Sequence, residues 1–310
     1  MRDIIVVPKF YGKIQGGSWY EFFYKQLCNK FDFELLYTDY ANIPSDARIV
    51  VAFAVPHFSW PNLMVDELSK LDPNIYLIGW MADMHCGLIK VNHKCRKEMI
   101  TMFNRYDLIL SGFDNRMKSM YSEYLDKYVY LPWGFAPYKR YMKFKLNKKP
   151  IMQCLMVGAH GANVYPLRSK IHKYAQTHKS IKSLGGGISR SEYASLLHKY
   201  FCGIVDVGHN EVLQPKHFEI PAVGSLLLCR RTNLVDDLGF IPNKHYVPFT
   251  GDDVFDKAND IISNPSKYED IRIAGMEYVR KNHSINNRMK VVFDLIENIY
   301  AKIDGRSVYA

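Results

Sequence analysis

Two glutamates, Glu211 and Glu219, are separated by seven intervening residues in the run GHNEVLQPKHFEIPAVGSLLLC, residues 208–229, with Lys216 among them. A carboxylate accepts a pair of hydrogen bonds from a vicinal diol. Glu219, on a helix expected over residues 214–223, suits a ribose, and Glu211 in the preceding loop can face the same ligand. Lys216 lies near the start of that helix. Its charge and the helix dipole both favour a diphosphate there. Gly224 and Ser225 allow a tight turn into the next strand.

A second anion-binding pattern is VGAHGANVYPLRSKI, residues 157–171. It follows one expected strand and opens an expected helix. Gly158 and Gly161 let backbone N–H groups approach an anion, and Arg168 can reach it from the helix. In the first half, Gly16, Gly17 and Ser18 form the first strand-to-helix loop. Their backbone can border a sugar or phosphate, although the spacing is no dinucleotide fingerprint. The stretch WMADMHCGL places Asp83 and His85 after a strand, where acid–base groups gather in parallel sheets. An imidazole titrating near neutrality beside a carboxylate can activate a hydroxyl. His85, Cys86, His93 and Cys95 offer four zinc-type ligands within eleven residues. Their spacing matches no standard finger, and no metal is expected.

These residues need a scaffold of strands and helices. Short β-rich runs are expected at 3–7, 33–37, 48–54, 75–79, 107–110 and 128–131, with helices at 18–29, 61–71 and 114–125. Such alternation implies a mostly parallel sheet covered on both faces. A second α/β series starts at residue 151, with strands near 181 and at 202–205 and 225–229. Its helices are expected at 165–177, 191–200, 215–223, 254–263 and 265–281. The final helix follows a 3.6-residue period through Ile285, Met289, Val292, Phe293, Ile296, Ile299, Tyr300 and Ile303, with Ser284 as its N-cap. The expected organisation is an N-terminal domain at 1–136, a basic linker at 137–150, a second domain at 151–283, and a C-terminal helix and tail at 284–310. Two successive doubly wound units imply a ligand cleft between them.

Composition bounds the classes. The 310 residues are 48% hydrophobic, enough for packed cores. No apolar run reaches the roughly 20 residues that span a bilayer. The six cysteines are scattered, three of them in strand-like runs, which argues against a disulfide framework and for a cytoplasmic setting. The net charge is +10, and residues 127–191 hold thirteen Lys or Arg with no Asp or Glu. That field attracts an anion: a phosphate-bearing ligand, an acidic glycan, a membrane surface or nucleic acid.

The runs KHFEIPAVGSLLLC, YVPFTGDDVFDKANDIISNP and GMEYVRKNHSINNRMKVVFDLI resemble the donor-binding domain of GT-B glycosyltransferases. The type is "glycosyl transferases group 1", also seen in spore-coat and viral enzymes. The resemblance spans residues 151 to about 303. It implies a two-domain α/β fold, two Rossmann-like doubly wound domains facing a cleft, with the C-terminal helix packing back on the N-terminal domain. It also implies a metal-independent transferase that uses a UDP- or GDP-sugar donor, no cofactor, and a carbohydrate acceptor held by the first domain. A viral source would place it in the host cytoplasm.

In that family the second Glu of an E-x7-E pair holds the donor ribose, which maps to Glu219. The first lies near the donor sugar and phosphates, which maps to Glu211. Lys216 stands where relatives carry a basic residue for the diphosphate. The turn at Gly158 faces the donor phosphates, and the loop containing Ile188 lies near the nucleobase. The retaining branch shows a Phe-Gly pair soon after the first Glu, and here Val212, Leu213 and Gln214 follow. An inverting reaction would need a base, Asp83 or His85. A retaining one would rest on Glu211. Two alternatives stand beside this reading: sugar transfer to modified bases in DNA, for which the basic block speaks, and a non-catalytic nucleotide-sugar or glycan binder.

Overall fold

A computed structural model describes residues 2–7, 19–38, 40–54, 67–68, 70–81, 93–161, 165–207 and 212–304. The chain divides into two compact units. Unit 1 holds residues 1–132 and 289–310, and unit 2 holds residues 133–288.

Unit 1 is built on six parallel strands: β1 (Arg2–Val7), β2 (Glu34–Tyr37), β3 (Ala47–Ala54), β4 (Tyr76–Met81), β5 (Leu108–Ser111) and β6 (Tyr128–Tyr130). Their order is β2-β1-β3-β4-β5-β6. Ile4, Ile5, Val6 and Val7 are all fully buried, as are Ile49 and Val50. Continuous apolar strands of this kind are what burial on both sheet faces demands. The described helices of this unit include α1 (Trp19–Phe31), α2 (His93–Arg105) and α3 (Asp114–Met120). Phe23 of α1 lies on Trp80 of β4 at 3.9 Å between ring centroids.

Several expectations shift here. The helix expected over 114–125 ends at Met120 and continues as a 3-10 turn, Ser122–Lys127. The break falls at Tyr121, and it lets both Tyr121 and Tyr124 lay their rings against Phe103, at 5.0 and 5.3 Å. The helix α2 was not anticipated. Most of the helix expected at 61–71 lies outside the described residues.

Unit 2 is built on five parallel strands: β7 (Ile151–Val157), β8 (Ile181–Leu184), β9 (Tyr200–Val205), β10 (Leu226–Arg230) and β11 (Val247–Phe249). Their order is β11-β10-β9-β7-β8. The chain steps from β7 outward to β8, then returns to the other side of β7 to lay down β9. The strand order therefore reverses between β7 and β9, the place where ligands gather in open parallel sheets. Its helices are α4 (Tyr138–Met142), α5 (Pro166–Tyr174), α6 (Arg190–Lys199), α7 (Lys216–Ala222), α8 (Asn233–Asp237), α9 (Val254–Ser263) and α10 (Glu269–Asn282). One set of buried side chains, including Leu155, Phe218, Val223 and Leu227, packs one side of this sheet. Another, including Met156, Ile171, Ile204 and Leu228, packs the other.

The basic stretch read as linker, residues 137–150, is folded onto unit 2. Tyr141 of α4 is buried. The Arg280 guanidinium donates to the carbonyls of Tyr141 and Phe144. Arg272, also buried, donates to the Asn147 carbonyl at 3.0 Å. Lysines dominate the composition of this stretch and hide a short amphipathic turn within it.

The last helix, α11 (Ile285–Ile303), starts in unit 2 and ends in unit 1. Ser284 caps it, its hydroxyl accepting from the Asn287 N–H while the Asn287 side chain accepts from the Ser284 N–H. Farther along, Phe293 and Tyr300 meet Phe31 of α1 at 5.5 and 5.8 Å. Tyr300 donates to Asp3 at 2.6 Å, and Lys30 pairs with Glu297 at 2.7 Å. Helix packing against the N-terminal domain, as expected, is carried by these contacts.

Candidate functional site

The site is built at the carboxyl ends of β7 and β9. Val157 is the last residue of β7, and Gly158 follows with φ +132°, a left-handed conformation that favours glycine. A Cβ at Gly158 would fall 2.8 Å from the Lys216 Nζ, so a side chain there would displace that ammonium. Lys216 is the first residue of α7, and its ammonium donates to the Val157 carbonyl. The helix is brought this close by Gly203 of β9, whose missing side chain admits Ile220. A Cβ at Gly203 would fall 2.7 Å from the Ile220 side chain.

Arg168, in the first turn of α5, is only 7% exposed. Its guanidinium donates to the carbonyl of Asp206, the residue just after β9, at 3.3 Å. The face of the guanidinium lies 4.2 Å over the Tyr165 ring. Lys216, Arg168, Asp206 and Gln214 line one small pocket in unit 2, with Met156 and Ile204 as its apolar floor. The Asp206 carboxylate is taken by Arg230 at 2.8 Å. Among the described residues, neither Lys216 nor Arg168 forms an ion pair with a carboxylate.

Burial without a counter-ion disfavours the charged form. Burial, with Arg168 adding to it, lowers the Lys216 ammonium to about 8. Burial also lowers Arg168. Two cations so placed are a receptor for an anion with at least two negative oxygens. With seven residues, α7 is barely two turns long, so side chains rather than a helix dipole carry the charge of the site.

Glu219 lies one turn along α7 from Lys216. Tyr141 of α4 donates to its Oε1 at 2.7 Å. Burial, then the Glu219 charge, pushes the Tyr141 phenol far up, so it stays a donor. A second phenol, Tyr193 of α6, is half-buried, and its buried hydroxyl has no hydrogen-bond partner among the described residues. Burial, then the Glu219 charge, raises its pKa well above the usual phenol value, and Arg168 lowers it. His217 is buried, and its Nδ1 accepts the Gln214 N–H at 3.0 Å, fixing the turn that leads into α7. Burial holds this imidazole down at about 4, so it is neutral at physiological pH.

The structure thus brings together Gly158, Arg168, Lys216 and Glu219. It does not bring Gly224 or Ser225 to them. A Cβ at Gly224 would meet Met276 and Leu146 instead. Ser225 is 1% exposed, and its hydroxyl faces the carbonyls of Leu197 and Tyr200 at 2.7 and 2.9 Å. Both residues tie α7 to β10. Ile188 is half-buried in the loop between β8 and α6, where Gly187 has φ +91° and Ser189 caps α6. Gly16, Gly17, Asp83, His85 and Glu211 lie outside the described residues, as do the side chains of Cys86, His93 and Cys95. Among the described residues no group of three or more His, Cys, Asp or Glu could hold a metal. Tyr141, Tyr193, Asp206 and Gln214 join the site without having been singled out by sequence.

Residues 152–294 match the family model described as glycosyl transferase-like. A search of curated proteins gives no match. Among solved structures, the chain is similar to an alpha-glucosyltransferase in complex with UDP-glucose and DNA containing an abasic site. The TM-score is 0.64 at 12% identity, covering 96% of this chain and 99% of that one. It is also similar to Anabaena HepE in complex with UDP, with TM-score 0.60 and 9% identity over 96% of this chain and 100% of that one. A third is sucrose-phosphate synthase from Thermosynechococcus elongatus, with TM-score 0.60 and 11% identity over 91% of this chain and 78% of that one. At such identities the likeness is one of fold. Residues 152–294 are thus similar to a glycosyl transferase-like family, in a chain with the two-domain α/β fold of GT-B glycosyltransferases.

Proposed function

We propose that this chain transfers a sugar from a nucleotide-diphosphate sugar, a UDP-sugar in the first instance, to a carbohydrate acceptor. The observation that carries the donor half is the pair Lys216 and Arg168 at the reversal point of the unit 2 sheet, with no carboxylate partner among the described residues. Their two cations receive the diphosphate. Glu219, steadied by Tyr141, accepts the ribose diol. As the sugar–oxygen bond breaks, negative charge grows on the departing diphosphate, and fixed cations in a partly dry site stabilise it most at that moment. Two side-chain cations supply that charge, so the reading is of a metal-independent reaction. Asp83 or His85 is the candidate base for an inverting route, and Glu211 the candidate for a retaining one. UDP is favoured over GDP because two of the similar structures hold UDP or UDP-glucose.

A second reading, transfer to modified bases in DNA, has one specific observation behind it. The alpha-glucosyltransferase seen with DNA matches this chain end to end, at 96% and 99% coverage.

A panel of UDP-, GDP-, TDP- and CMP-sugars in a thermal-shift assay tests the donor reading. A ligand at about 100 times its dissociation constant adds about 2.7 kcal/mol of stability, which for a domain of this size raises the midpoint by several degrees. A rise with a UDP-sugar is expected. No shift with any member of the panel would remove the donor assignment.

A further inference from the structure

Lys216 and Arg168 account for little of the +10 net charge. Six further lysines gather at the opposite end of the same sheet. The chain enters β7 from residues 143–150, β8 from Lys179 and β9 from Lys199, all at the amino ends of these parallel strands. Hydrogen bonds hold these entries together. Asn147 donates to the His198 carbonyl at 3.0 Å, and Gln153 donates to the Lys179 carbonyl at 2.7 Å. The Phe144 ring lies on His198 at 4.7 Å, and Ile151 pairs with Tyr200 across the ladder.

This end carries Lys143, Lys145, Lys148, Lys149, Lys179 and Lys199, all exposed. None of the six makes an ion pair with another described residue. Glu269, the carboxylate that Arg272 draws toward this end, is already held by that arginine at 3.1 Å. Among the lysines stand two exposed aliphatic side chains, Ile151 at 45% and Met152 at 38%.

We infer that this face docks on an anionic lipid membrane. Three features favour a bilayer over a nucleic acid. The exposed cations are lysines, compact point charges suited to a diffuse negative surface, whereas arginine provides the planar fork that reads phosphates and bases. The apolar residues among them are aliphatic, which gain from entering the headgroup boundary, while nucleic-acid platforms use aromatic rings for stacking. Finally, several basic residues beside a small apolar patch is the two-signal arrangement that peripheral membrane contact requires. The donor pocket lies one strand length away, roughly 20 Å, at the other end of the same strands. Docking at the amino ends therefore leaves that pocket uncovered.

Flotation of the full chain with vesicles of phosphatidylcholine alone, or with about 30% phosphatidylglycerol added as the anionic lipid, measures this directly. Binding to the anionic vesicles only, reversed by about 0.5 M salt, is expected. Lys148→Glu with Lys149→Glu should weaken it about tenfold or more. Ile151→Ser with Met152→Ser should weaken it at unchanged charge. UDP binding, measured on the same variants, should stay as in the parent, which separates this surface from the donor site and reports that the variants are folded. Equal binding to both vesicle types, no binding to either, or lysine-dependent binding of duplex DNA without vesicle binding would each overturn the proposal.

Discussion

At the scale of single residues, the site is a pair of cations held in place by backbone carbonyls. Lys216 is the more informative of the two because its protonation is poised. Its pKa lies near 8 in the free protein, below the ordinary 10.5 of a lysine, chiefly through burial. Below pH 8 the ammonium is present and ready. Above pH 8 the free protein has lost that proton, and a bound diphosphate must recover it. UDP affinity should therefore fall as pH rises from about 8 toward 10, by at most about tenfold per pH unit. The same shift acts in the other direction on folding: between pH 8 and 10.5 the unfolded lysine holds more proton, so this group's contribution to stability rises there. Calorimetric titration of UDP at several pH values reads the first effect, and a flat profile would remove Lys216 from the diphosphate site.

Tyr141 gives a second test at this scale. Its hydroxyl orients Glu219 but is not expected to touch the reacting atoms. Tyr141→Phe removes one hydrogen bond to a charged group, about 1.5–3 kcal/mol. A rise in donor KM of about tenfold follows, with kcat little changed. A donor whose ribose lacks the 2′-hydroxyl should show a smaller loss, because the orientation of Glu219 then matters less. An equal loss with both donors would mean that Tyr141 serves packing alone.

The gap between sequence and structure is also clearest among residues. Lys216, Glu219, Gly158 and Arg168 were legible because each stands at a recognisable junction, a strand end or a helix start. Gly224 and Ser225 stand at such a junction too, yet face the protein interior. Spacing along the chain cannot tell on which side of a turn a side chain emerges. Tyr141 was hidden because lysines dominate residues 137–150. Tyr138, Tyr141 and Met142 nonetheless repeat at helical intervals, and that pattern was the available signal. Tyr193 sits on a helix found by sequence, but the electrostatic influence of Glu219 on it joins positions 26 residues apart and depends on the strand order.

At the scale of elements, parallel strands were legible because burial on both faces forces continuous apolar runs, as in β1 and β3. Short or polar elements were less so. The three-residue β11 and five-residue α8 carry too few side chains for a period to show. Helix α2 was obscured by its basic sequence HKCRKEMITMFNR. The long α11 was the plainest element, and its first four residues belong to unit 2 while the rest belong to unit 1. Ile296 lies in the part assigned to unit 1 and is 2% exposed. Ile296→Ala should cost about 2–5 kcal/mol, the usual range for a large-to-small change in a core. Urea denaturation measures this, and a loss below about 0.5 kcal/mol would mean that the helix is not anchored there.

At the scale of the whole molecule, two doubly wound units share one chain, and the chemistry proposed for unit 2 sits where its strand order turns back. Basic residues stand at both ends of that unit's sheet: two buried cations at the carboxyl ends and six exposed lysines at the amino ends. The measurement that bears most directly on the account compares UDP with uridine, by calorimetry, on the parent chain and on Lys216→Met. The parent should prefer UDP by about a hundredfold or more, since the diphosphate makes charge-assisted hydrogen bonds worth about 1.5–3 kcal/mol each. Most of that preference should vanish in Lys216→Met while uridine binding holds. The same preference for UDP in both proteins would contradict the placement of the diphosphate at the end of β7.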